Sequence, residues 1–528
     1  MSASASASAR ARSSEALVLR EVADVVVIGG GGAGLSAAVA AAQRGVTTVL
    51  LEKASVLGGT TRLAVGSISA AGTRLQRAAG IVDRVDDFRR DMDAFTGSEL
   101  LPRDNPVLRA MLASEAGTTV DWLERLGVAF AGPYPEPPHR VNRMHNTVPG
   151  AATIVARLEA AARRAGLAVH LGSGLHGLIT DDAGEVIGVE YSHDGARRLL
   201  FARRGVILAT GDFSGNADMR TRFLPPAAAK ATPINPGNVG DGHHAALAVG
   251  AIARNMDMIF GPQMRFPRAP RPSLGERLPP WPWLTRLGAQ VFMRAPAWLL
   301  RPVVQSLLIA NMSPSERLFR EGALLVDVDG RRLDSERPAV AVAEAPQGKA
   351  YIVLDERVAQ RFRAYPYYVS TAPGIAFAYL PDYLRGRPDI ARRVDSAATL
   401  ARSLGMDPVQ LSHSLEAVAA GPLTVLGPLH AMLTTTEGSV AVDAQCRVLT
   451  ADGAPIQGLY AAGCVGQGGL LLRGHGLHLA WTLTSGRIAG EMAARVCPRD
   501  DVDRRYVTAP TVRERVDIDA EWFDELHR

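Results

Sequence analysis

The sequence predicts an α/β fold, and three features near the amino terminus support that prediction. Residues 22–28 have the pattern of a buried strand and lead into a turn, residues 29–34, in which five of the six residues are glycine. Residues 35–44 then follow a helical pattern, and a second strand pattern over 47–51 ends at Glu52. Strand, glycine turn, helix, strand and acid in this order are typical of a Rossmann-type dinucleotide-binding fold.

Each position of the turn has a physical role in that fold. Gly29 allows the tight turn, Gly31 lets the backbone approach a pyrophosphate, and Gly34 lets the helix pack closely on the strand. The helix amino terminus offers free N–H groups and the positive end of its dipole to the phosphates. Glu52 can accept a hydrogen bond from a ribose 2′-hydroxyl, which disfavours a 2′-phosphate.

Three further segments favour FAD over NAD as the dinucleotide. They are the Gly-Gly-Thr-Thr sequence at 58–61, the strand pattern 205–211 ending in Ala-Thr-Gly, and the strand pattern 458–463 ending in glycine. Together with the opening turn, these segments resemble the fumarate reductase and succinate dehydrogenase flavoprotein superfamily, whose soluble branch includes 3-ketosteroid dehydrogenases. The resemblance covers about residues 23–494, with specific matches at 239–242, 322–330 and 442–490.

The resemblance implies a Rossmann-type FAD-binding domain interrupted by an α+β capping domain, with the substrate between the cap and the flavin. It divides the chain into a first FAD-binding part at 21–255, a cap at 256–432 and a second FAD-binding part at 433–498. We expect residues 1–20 to be a disordered lead and residues 499–528 to be a C-terminal tail.

The cofactor is expected to be FAD bound without a covalent link, and no metal site is expected. Some members of the resembled superfamily attach FAD through a histidine shortly after the Gly-Gly motif, but residues 60–73 contain no histidine. The residues expected to contact the cofactor are Gly29, Gly31, Gly32, Ala33, Gly34, Glu52, Lys53, Gly59, Thr60, Thr61, Gly211, Asp241, Gly463, Gly476 and Leu477.

Residues 468–476, which precede a helical pattern at 477–494, are expected to form the substrate side of the site. The resemblance places the amino terminus of that helix against the flavin, where its dipole stabilises negative charge. Arg473 falls where fumarate reductases bind a substrate carboxylate, and Leu472 falls where ketosteroid dehydrogenases have a tyrosine. Gly476 matches a glycine whose N–H assists that tyrosine, and His475 and His478 are candidate donors on the same wall. The alternative interpretation of Arg473 is a structural arginine paired within its own domain.

Departures from the fumarate reductase pattern argue against fumarate itself as the substrate. Thr435 stands at the position of that branch's substrate histidine, and Val340 stands at the position of its proton-donating arginine. Cys464 replaces a glutamate that often contacts the ribityl chain. His145, in contrast, does resemble a histidine that lies near the substrate in that branch.

The sequence therefore predicts dehydrogenation of a carbon–carbon single bond next to a carbonyl, in a cyclic ketone or a keto acid. A base removes the α-proton, the flavin accepts the β-hydrogen as a hydride, and Gly476 and Arg473 polarise the carbonyl. The base is expected to be a tyrosine, with Tyr134 and the cap residue Tyr367 as candidates, beside Tyr365 and Tyr368. Two alternatives stay open: an ene-reductase of an unsaturated carboxylic acid, and a flavin-binding protein without turnover.

Composition argues against other classes of function. The formal charge of +5 comes from scattered residues, which is not the pattern of a nucleic-acid-binding surface. Three cysteines without a CxxC pair fit a reducing, cytoplasmic compartment and no covalent haem, so we expect a diffusible electron acceptor. No apolar run reaches the length of about 18 residues that predicts a membrane span.

Residues 265–302 differ from the rest of the chain because they are rich in proline, tryptophan and arginine. We interpret the segment as a cap elaboration that lines or covers the pocket. An apolar patch that contacts a membrane surface is the alternative. The substrate, the electron acceptor, the direction of the reaction and the oligomeric state stay open at this point.

Overall fold

The structure is a computed structural model that describes residues 20–270, 279–296, 300, 308–309, 313–372, 376–416, 421–499, 502 and 511–514. The expected disordered lead therefore lies outside the described residues, apart from its last residue, Arg20. The expected C-terminal tail is described only at 499, 502 and 511–514, and the last of these stretches forms a strand.

The strands, numbered in chain order, are β1 (Arg20–Ile28), β2 (Thr48–Leu51), β3 (Ser67–Ser69), β4 (Phe130–Tyr134), β5 (Met144–Thr147), β6 (Ala168–His170), β7 (Gly174–Thr180), β8 (Val186–His193), β9 (Ala196–Leu208), β10 (Thr232–Pro233), β11 (Ala253–Arg254), β12 (Ile259–Phe260), β13 (Gln263–Arg265), β14 (Leu324–Asp327), β15 (Lys349–Asp355), β16 (Ser370–Ala372), β17 (Ala376–Ala378), β18 (Ala391–Val394), β19 (Leu423–Leu433), β20 (Thr435–Thr436), β21 (Ser439–Val440), β22 (Arg447–Leu449), β23 (Pro455–Ala461) and β24 (Thr511–Glu514).

The α-helices are α1 (Gly32–Ala42), α2 (Gly59–Leu63), α3 (Arg74–Ala78), α4 (Val85–Thr96), α5 (Pro106–Arg125), α6 (Ala152–Arg164), α7 (Ala217–Phe223), α8 (Pro226–Lys230), α9 (Asp241–Leu247), α10 (Pro282–Arg294), α11 (Arg317–Arg320), α12 (Pro338–Glu344), α13 (Glu356–Arg361), α14 (Leu380–Gly386), α15 (Ala397–Leu404), α16 (Pro408–Ser414) and α17 (Leu477–Arg495). Short 3₁₀ turns lie at Leu101–Arg103 and Pro346–Gly348.

The largest sheet confirms the predicted α/β fold. Its strands follow the order β24-β7-β8-β9-β1-β2-β6, with β23 also paired to β9 and β22 paired to β23. Strand β1 is parallel to β2 and β9, and β9 is parallel to β23, so the carboxyl ends of these four strands meet at one edge. The strands expected at 22–28 and 47–51 are β1 and β2, and the helix expected at 35–44 is α1, which begins three residues earlier at Gly32.

Helices α1 and α17 cross at unusually close range because small residues line their contact. A β-carbon added at Gly486 would collide with the Ala33 carbonyl oxygen, and one added at Gly490 would collide with the Ala37 carbonyl oxygen. Both glycines are fully buried in α17. Such close backbone approach fixes α17 against the helix that opens the dinucleotide fold.

A second antiparallel sheet surrounds β19, which pairs with β10, β13, β15 and β18, while β14 extends the sheet beyond β15. Strands β3, β5 and β4 form a separate three-stranded sheet. Buried apolar residues form two large clusters, one drawn from 23–251 and 440–494 and the other drawn from 213–264 and 308–433, beside two smaller ones. The second large cluster begins at Phe213, and the division into FAD-binding and cap parts stays a prediction.

The close crossing of α1 and α17 yields a prediction for stability. Replacing Gly490 by alanine should destabilise the fold by about 1–3 kcal/mol, because the added methyl group must push α17 away from the Ala37 carbonyl. Thermal unfolding measures the change. Gly288→Ala in α10 is the matched control, since its β-carbon would meet only Val148 at 3.4 Å and alanine favours a helix over glycine. Equal melting temperatures for Gly490→Ala and the unchanged protein would contradict the packing described here.

Candidate active site

The glycine turn after β1 leaves open space where a phosphate group could approach the backbone. A β-carbon added at Gly31 would meet no described atom within 4 Å, whereas one added at Gly34 would collide with the Gly29 carbonyl. Gly29 has a φ of 103°, a conformation that favours glycine. The Gly32 N–H donates to the Thr61 hydroxyl at 3.2 Å. The turn therefore has the open cradle at a helix amino terminus that a pyrophosphate requires.

The acid at the end of β2 turns back onto the glycine turn. One Glu52 carboxylate oxygen accepts from the Gly30 N–H at 2.5 Å, and the other accepts from the Ala54 N–H at 2.7 Å. Lys53, the next residue, forms an ion pair of 2.7 Å with Asp241 at the start of α9. The residues expected at the adenosine end thus lie together, and each oxygen of Glu52 keeps a lone pair for a ribose hydroxyl.

A partly buried amide cluster joins Thr60 to the end of β9. The Thr60 hydroxyl accepts from the side-chain amides of Asn235 at 3.0 Å and Asn238 at 3.1 Å. The Asn238 side-chain amide also donates to the Asp212 carboxylate at 2.9 Å. The Asn238 side chain lies against Gly211, whose φ is 83°. The sequence analysis found Thr60 and Gly211 but missed the other three residues. The sequence signal that could have identified them is Asp212, which directly follows the Ala-Thr-Gly sequence after the strand.

Gly463, at the carboxyl end of β23, is held by α17. Its N–H donates to the Ser485 hydroxyl at 2.9 Å, and its carbonyl accepts from the Trp481 indole at 2.9 Å. A β-carbon there would lie 2.9 Å from that of Ala33. The end of β23, the start of α1 and the body of α17 therefore meet at one point.

The segment that precedes α17 is held by strand β3. Gly476 caps α17 with a φ of 79°, and its carbonyl accepts from the Ser69 N–H at 3.3 Å. The Ser69 hydroxyl donates to the His475 carbonyl at 2.8 Å. Leu477 is the buried first residue of α17, where backbone N–H groups lack intrahelical acceptors. The contacts from Ser69 to His475 and Gly476 therefore fix the helix terminus that is expected to face the flavin.

Arg473 is already paired with a buried acid. Its guanidinium lies 2.7 Å from a Glu437 oxygen and donates to the Ile259 carbonyl at 2.8 Å. The Glu437 side chain is fully buried and also accepts from the Leu472 N–H at 3.1 Å. Burial raises the pKa of Glu437, and Arg473 opposes that rise. This pairing corresponds to the alternative interpretation of Arg473, and the sequence analysis missed Glu437 because no local pattern links two residues so far apart in the chain.

Two histidines lie at the start of α17, where His475 is exposed and His478 is partly buried. Desolvation by the surrounding protein lowers the pKa of His475, and the nearby charge of Arg265 adds to that effect. Burial and the charge of Arg473 lower the pKa of His478 to about 4. The His478 ring lies 5.0 Å from that of Phe260. Neutral imidazoles can donate a hydrogen bond to a carbonyl oxygen without adding charge to the wall.

Arg265 on β13 is a cation that the sequence analysis missed. It donates to the Gln263 side chain at 3.1 Å, and burial lowers its pKa. Its Nε is buried without a hydrogen-bond partner, and no carboxylate of the described residues lies within ion-pair distance of the guanidinium. The pair of Arg473 and Glu437 carries no net charge, so Arg265 is the uncompensated positive charge beside His475.

The candidate tyrosines lie in different places. Tyr134 pairs with Met144 across β4 and β5, and Met144 pairs with Ser69 across β5 and β3. Directly paired residues present their side chains on the same face of a sheet. Tyr134 is therefore on the face from which Ser69 contacts His475. Burial raises the pKa of Tyr134 to about 12.

Tyr367 packs in the cap, 5.8 Å from Phe362 and with the Arg317 guanidinium 4.3 Å from its ring. Tyr365 is 70% exposed, and Tyr368 stacks near Phe377. None of these three tyrosines makes a hydrogen bond or ring contact with residues 472–476 in the part of the chain described here. The role predicted for Tyr367 stays a prediction.

The residues that depart from the fumarate reductase pattern are also located. The Thr435 hydroxyl contacts the Cys464 sulfur at 3.6 Å, so the two substituted positions are neighbours. Val340 lies within α12. His145 is fully buried between the Thr73 hydroxyl at 2.9 Å and the Ile68 carbonyl at 3.3 Å.

Two further features are absent from the described residues. None of the helices there combines the length and the apolar character that crossing a membrane requires. No group of three or more His, Cys, Asp or Glu residues there has the arrangement of a metal site.

Comparison with known proteins identifies the family of the chain. The family model described as FAD binding domain matches residues 24–279 and 284–473. A probable fumarate reductase of Shewanella frigidimarina is 26% identical over 90% of this chain and 75% of its own. A 3-oxosteroid 1-dehydrogenase of Mycolicibacterium smegmatis is 24% identical over 51% of this chain and 61% of its own.

The fold is likewise similar to that of a solved structure, the open conformation of a flavocytochrome c3 fumarate reductase. The TM-score is 0.69 and the identity is 23%, over 90% of this chain and 78% of that one. Since the family model matches most of the chain, the protein belongs to the FAD binding domain family and is an FAD-dependent oxidoreductase of the class that acts on CH–CH groups.

Proposed function

We propose that this enzyme introduces a carbon–carbon double bond next to the carbonyl of a cyclic ketone or keto acid. FAD, when bound, supplies the two-electron acceptor for such a reaction. The observation that carries the proposal is the row from Tyr134 through Met144 and Ser69 to the His475–Gly476 segment. In this row a phenol, which is a candidate base, shares a sheet face with the Ser69 contact to the start of α17, and this arrangement supports the proposal.

Activation of the substrate carbonyl is assigned to the start of α17. An α-proton becomes acidic only if donors stabilise the negative charge that develops on the carbonyl oxygen. The Gly476 N–H and His475 are the proposed donors, since the helix terminus adds its dipole and desolvation lowers the pKa of the His475 imidazole.

We assign Arg473 a positioning role rather than the binding of a substrate carboxylate. Its charge is compensated by Glu437, and its contact with the Ile259 carbonyl joins the α17 segment to β12. Any carboxylate on the substrate would be bound by Arg265, which has no acidic partner among the described residues. One uncompensated cation fits a substrate with at most one carboxylate.

The reverse reaction, reduction of an unsaturated acid, is the second candidate. The raised pKa of Tyr134 favours it, because a phenol that stays protonated at neutral pH is a proton donor. The similarity to a probable fumarate reductase points the same way. The pH dependence of the rate, considered below, distinguishes the two directions.

We further propose that FAD is bound without a covalent link, through the contact residues predicted from the sequence. Glu52→Ala should raise the dissociation constant for FAD about tenfold or more, since a hydrogen bond to a charged group contributes roughly 1.5–3 kcal/mol. Equilibrium dialysis measures the change, and acid precipitation should leave all the flavin in the supernatant.

The control for this variant is Glu416→Ala, which changes an exposed acid of the cap. Glu52 also accepts two backbone N–H groups, so circular dichroism must first show that the variant is folded. Unchanged FAD affinity in a folded Glu52→Ala protein would refute the proposed contact between Glu52 and FAD. Flavin that stays in the acid pellet would refute non-covalent binding.

The roles of the two arginines can be separated by substitution. Arg265→Leu should lower kcat/KM for a carboxylated ketone about tenfold or more relative to a neutral ketone, because a charge-assisted contact is lost.

Arg473→Leu alone leaves Glu437 buried and unpaired, which costs roughly 3–5 kcal/mol of stability. The double variant Arg473→Leu with Glu437→Gln should recover that stability and keep the wild-type preference between the two ketones. Arg402→Leu, on the exposed surface, is the control. If the double variant lost the wild-type preference between the two ketones while Arg265→Leu retained it, Arg473 and not Arg265 would be the residue that binds the carboxylate.

The pKa of Tyr134 predicts how the rate depends on pH. If Tyr134 is the base, the rate of desaturation should rise about tenfold per pH unit from about pH 7 to about pH 10, because only the ionised phenol accepts a proton. Tyr134→Phe should abolish this rise, whereas Tyr365→Phe, at a 70% exposed position, should not. The rate of the reverse reaction, the reduction of an unsaturated acid, should not change over the same pH range. A level rate of desaturation, or full activity in Tyr134→Phe, would exclude Tyr134 as the base.

A further inference from the structure

Helix α10 presents an apolar surface that nothing in the described structure covers. Its inner side packs against β4 through the buried Thr285 and Ala289. On its outer side Trp283 is 63% exposed, Leu287 52% and Val291 47%. Trp281, which caps the helix, is also exposed and stacks on Trp283 with ring centroids 6.1 Å apart. We call these four residues the apolar row.

A basic row runs beside the apolar row. Trp283, Leu287 and Val291 follow each other at intervals of four residues, as do Arg286, Gln290 and Arg294. Residues four apart are neighbours on one helix face, so the two rows lie side by side along the exposed surface. Arg286, Gln290 and Arg294 are all exposed.

The charged side chains on α10 itself are all basic, whereas Asp121 and Glu124, which line the same cavity as Arg286 and Gln290, are paired with other arginines. Helix α10 contains no Asp or Glu, and the sequence from 277 to 315 contains four arginines and no acid. Neither Arg286 nor Arg294 forms an ion pair with a described residue. An unpaired basic row beside an apolar row with two tryptophans has the composition of a helix that lies in the interface of a bilayer.

We propose that α10 docks this enzyme on the surface of a membrane that contains anionic lipids. The apolar row would enter the boundary between headgroups and acyl chains, and the arginines would contact the lipid phosphates. The inner side of the same helix carries Phe292, whose ring meets that of Tyr134 edge-on at 6.4 Å. Docking would therefore bring the bilayer within one helix diameter of the tyrosine on β4.

Sedimentation with lipid vesicles tests the proposal on the full chain loaded with FAD. We expect the protein to sediment with vesicles of mixed phosphatidylcholine and phosphatidylglycerol, and to remain in solution with vesicles of phosphatidylcholine alone. Replacing Trp283, Leu287 and Val291 together by alanine should lower the partition coefficient tenfold or more. The matched control replaces Val56, Val82 and Val409, three other exposed valines, by alanine and should bind like the wild type.

The basic row is tested separately. Arg286→Gln with Arg294→Gln should lower partitioning into the anionic vesicles about 25-fold, which corresponds to about fivefold for each charge near such a surface. Arg84→Gln with Arg402→Gln, two exposed arginines elsewhere, should leave it unchanged. All of these side chains are exposed, so each variant should keep the wild-type melting temperature.

Three results would overturn the proposal. One is equal binding of the wild type to neutral and anionic vesicles. Another is unchanged binding after Trp283, Leu287 and Val291 are replaced by alanine. The third is a wild-type protein that ignores vesicles but dimerises in sedimentation velocity, with the apolar-row variant monomeric. That third result would show that a second copy of the chain covers α10.

Discussion

The close crossing of α1 and α17 is the constraint on which the rest of the site depends. Gly486 and Gly490 allow α17 to lie directly on the carbonyls of Ala33 and Ala37. The start of α1 carries the open turn at Gly31, and the start of α17 carries the carbonyl-binding candidates. Because the two helices are packed backbone to backbone, the glycine turn before α1 and the segment before α17 cannot shift without disturbing each other.

Under the proposed function, the charges near the start of α17 favour a carbonyl compound over a dicarboxylate. Arg473 and Glu437 compensate each other in an ion pair whose acid is fully buried, and desolvation lowers the pKa of His475 and His478. A second charged carboxylate would therefore find no free cation among these residues. Arg265 is left as a single uncompensated charge, which sets an upper limit on the charge of the substrate rather than demanding an anion.

Local sequence patterns were sufficient for the fold and for the local geometry of the glycine turn. Strand, glycine turn and acid are contiguous in the chain, so β1, α1, β2 and the open turn at Gly31 followed from spacing alone. The substrate side could not be predicted in the same way, because its properties arise from contacts between distant segments. Arg473 has the same local sequence whether or not Glu437 neutralises it, and Arg265 gave no motif at all. Tyr134 could be suggested as a base, but only the pairing of β4, β5 and β3 relates it to Gly476.

The central claim is that the enzyme removes hydrogen from a saturated carbonyl compound. Anaerobic mixing of the oxidised, FAD-loaded enzyme with a panel of saturated cyclic ketones and keto acids measures this half-reaction directly. We predict that at least one member of the panel bleaches the yellow absorption of the flavin and is recovered as its α,β-unsaturated product. The claim would be contradicted if no member of the panel bleached the flavin while an unsaturated carboxylic acid reoxidised the chemically reduced enzyme.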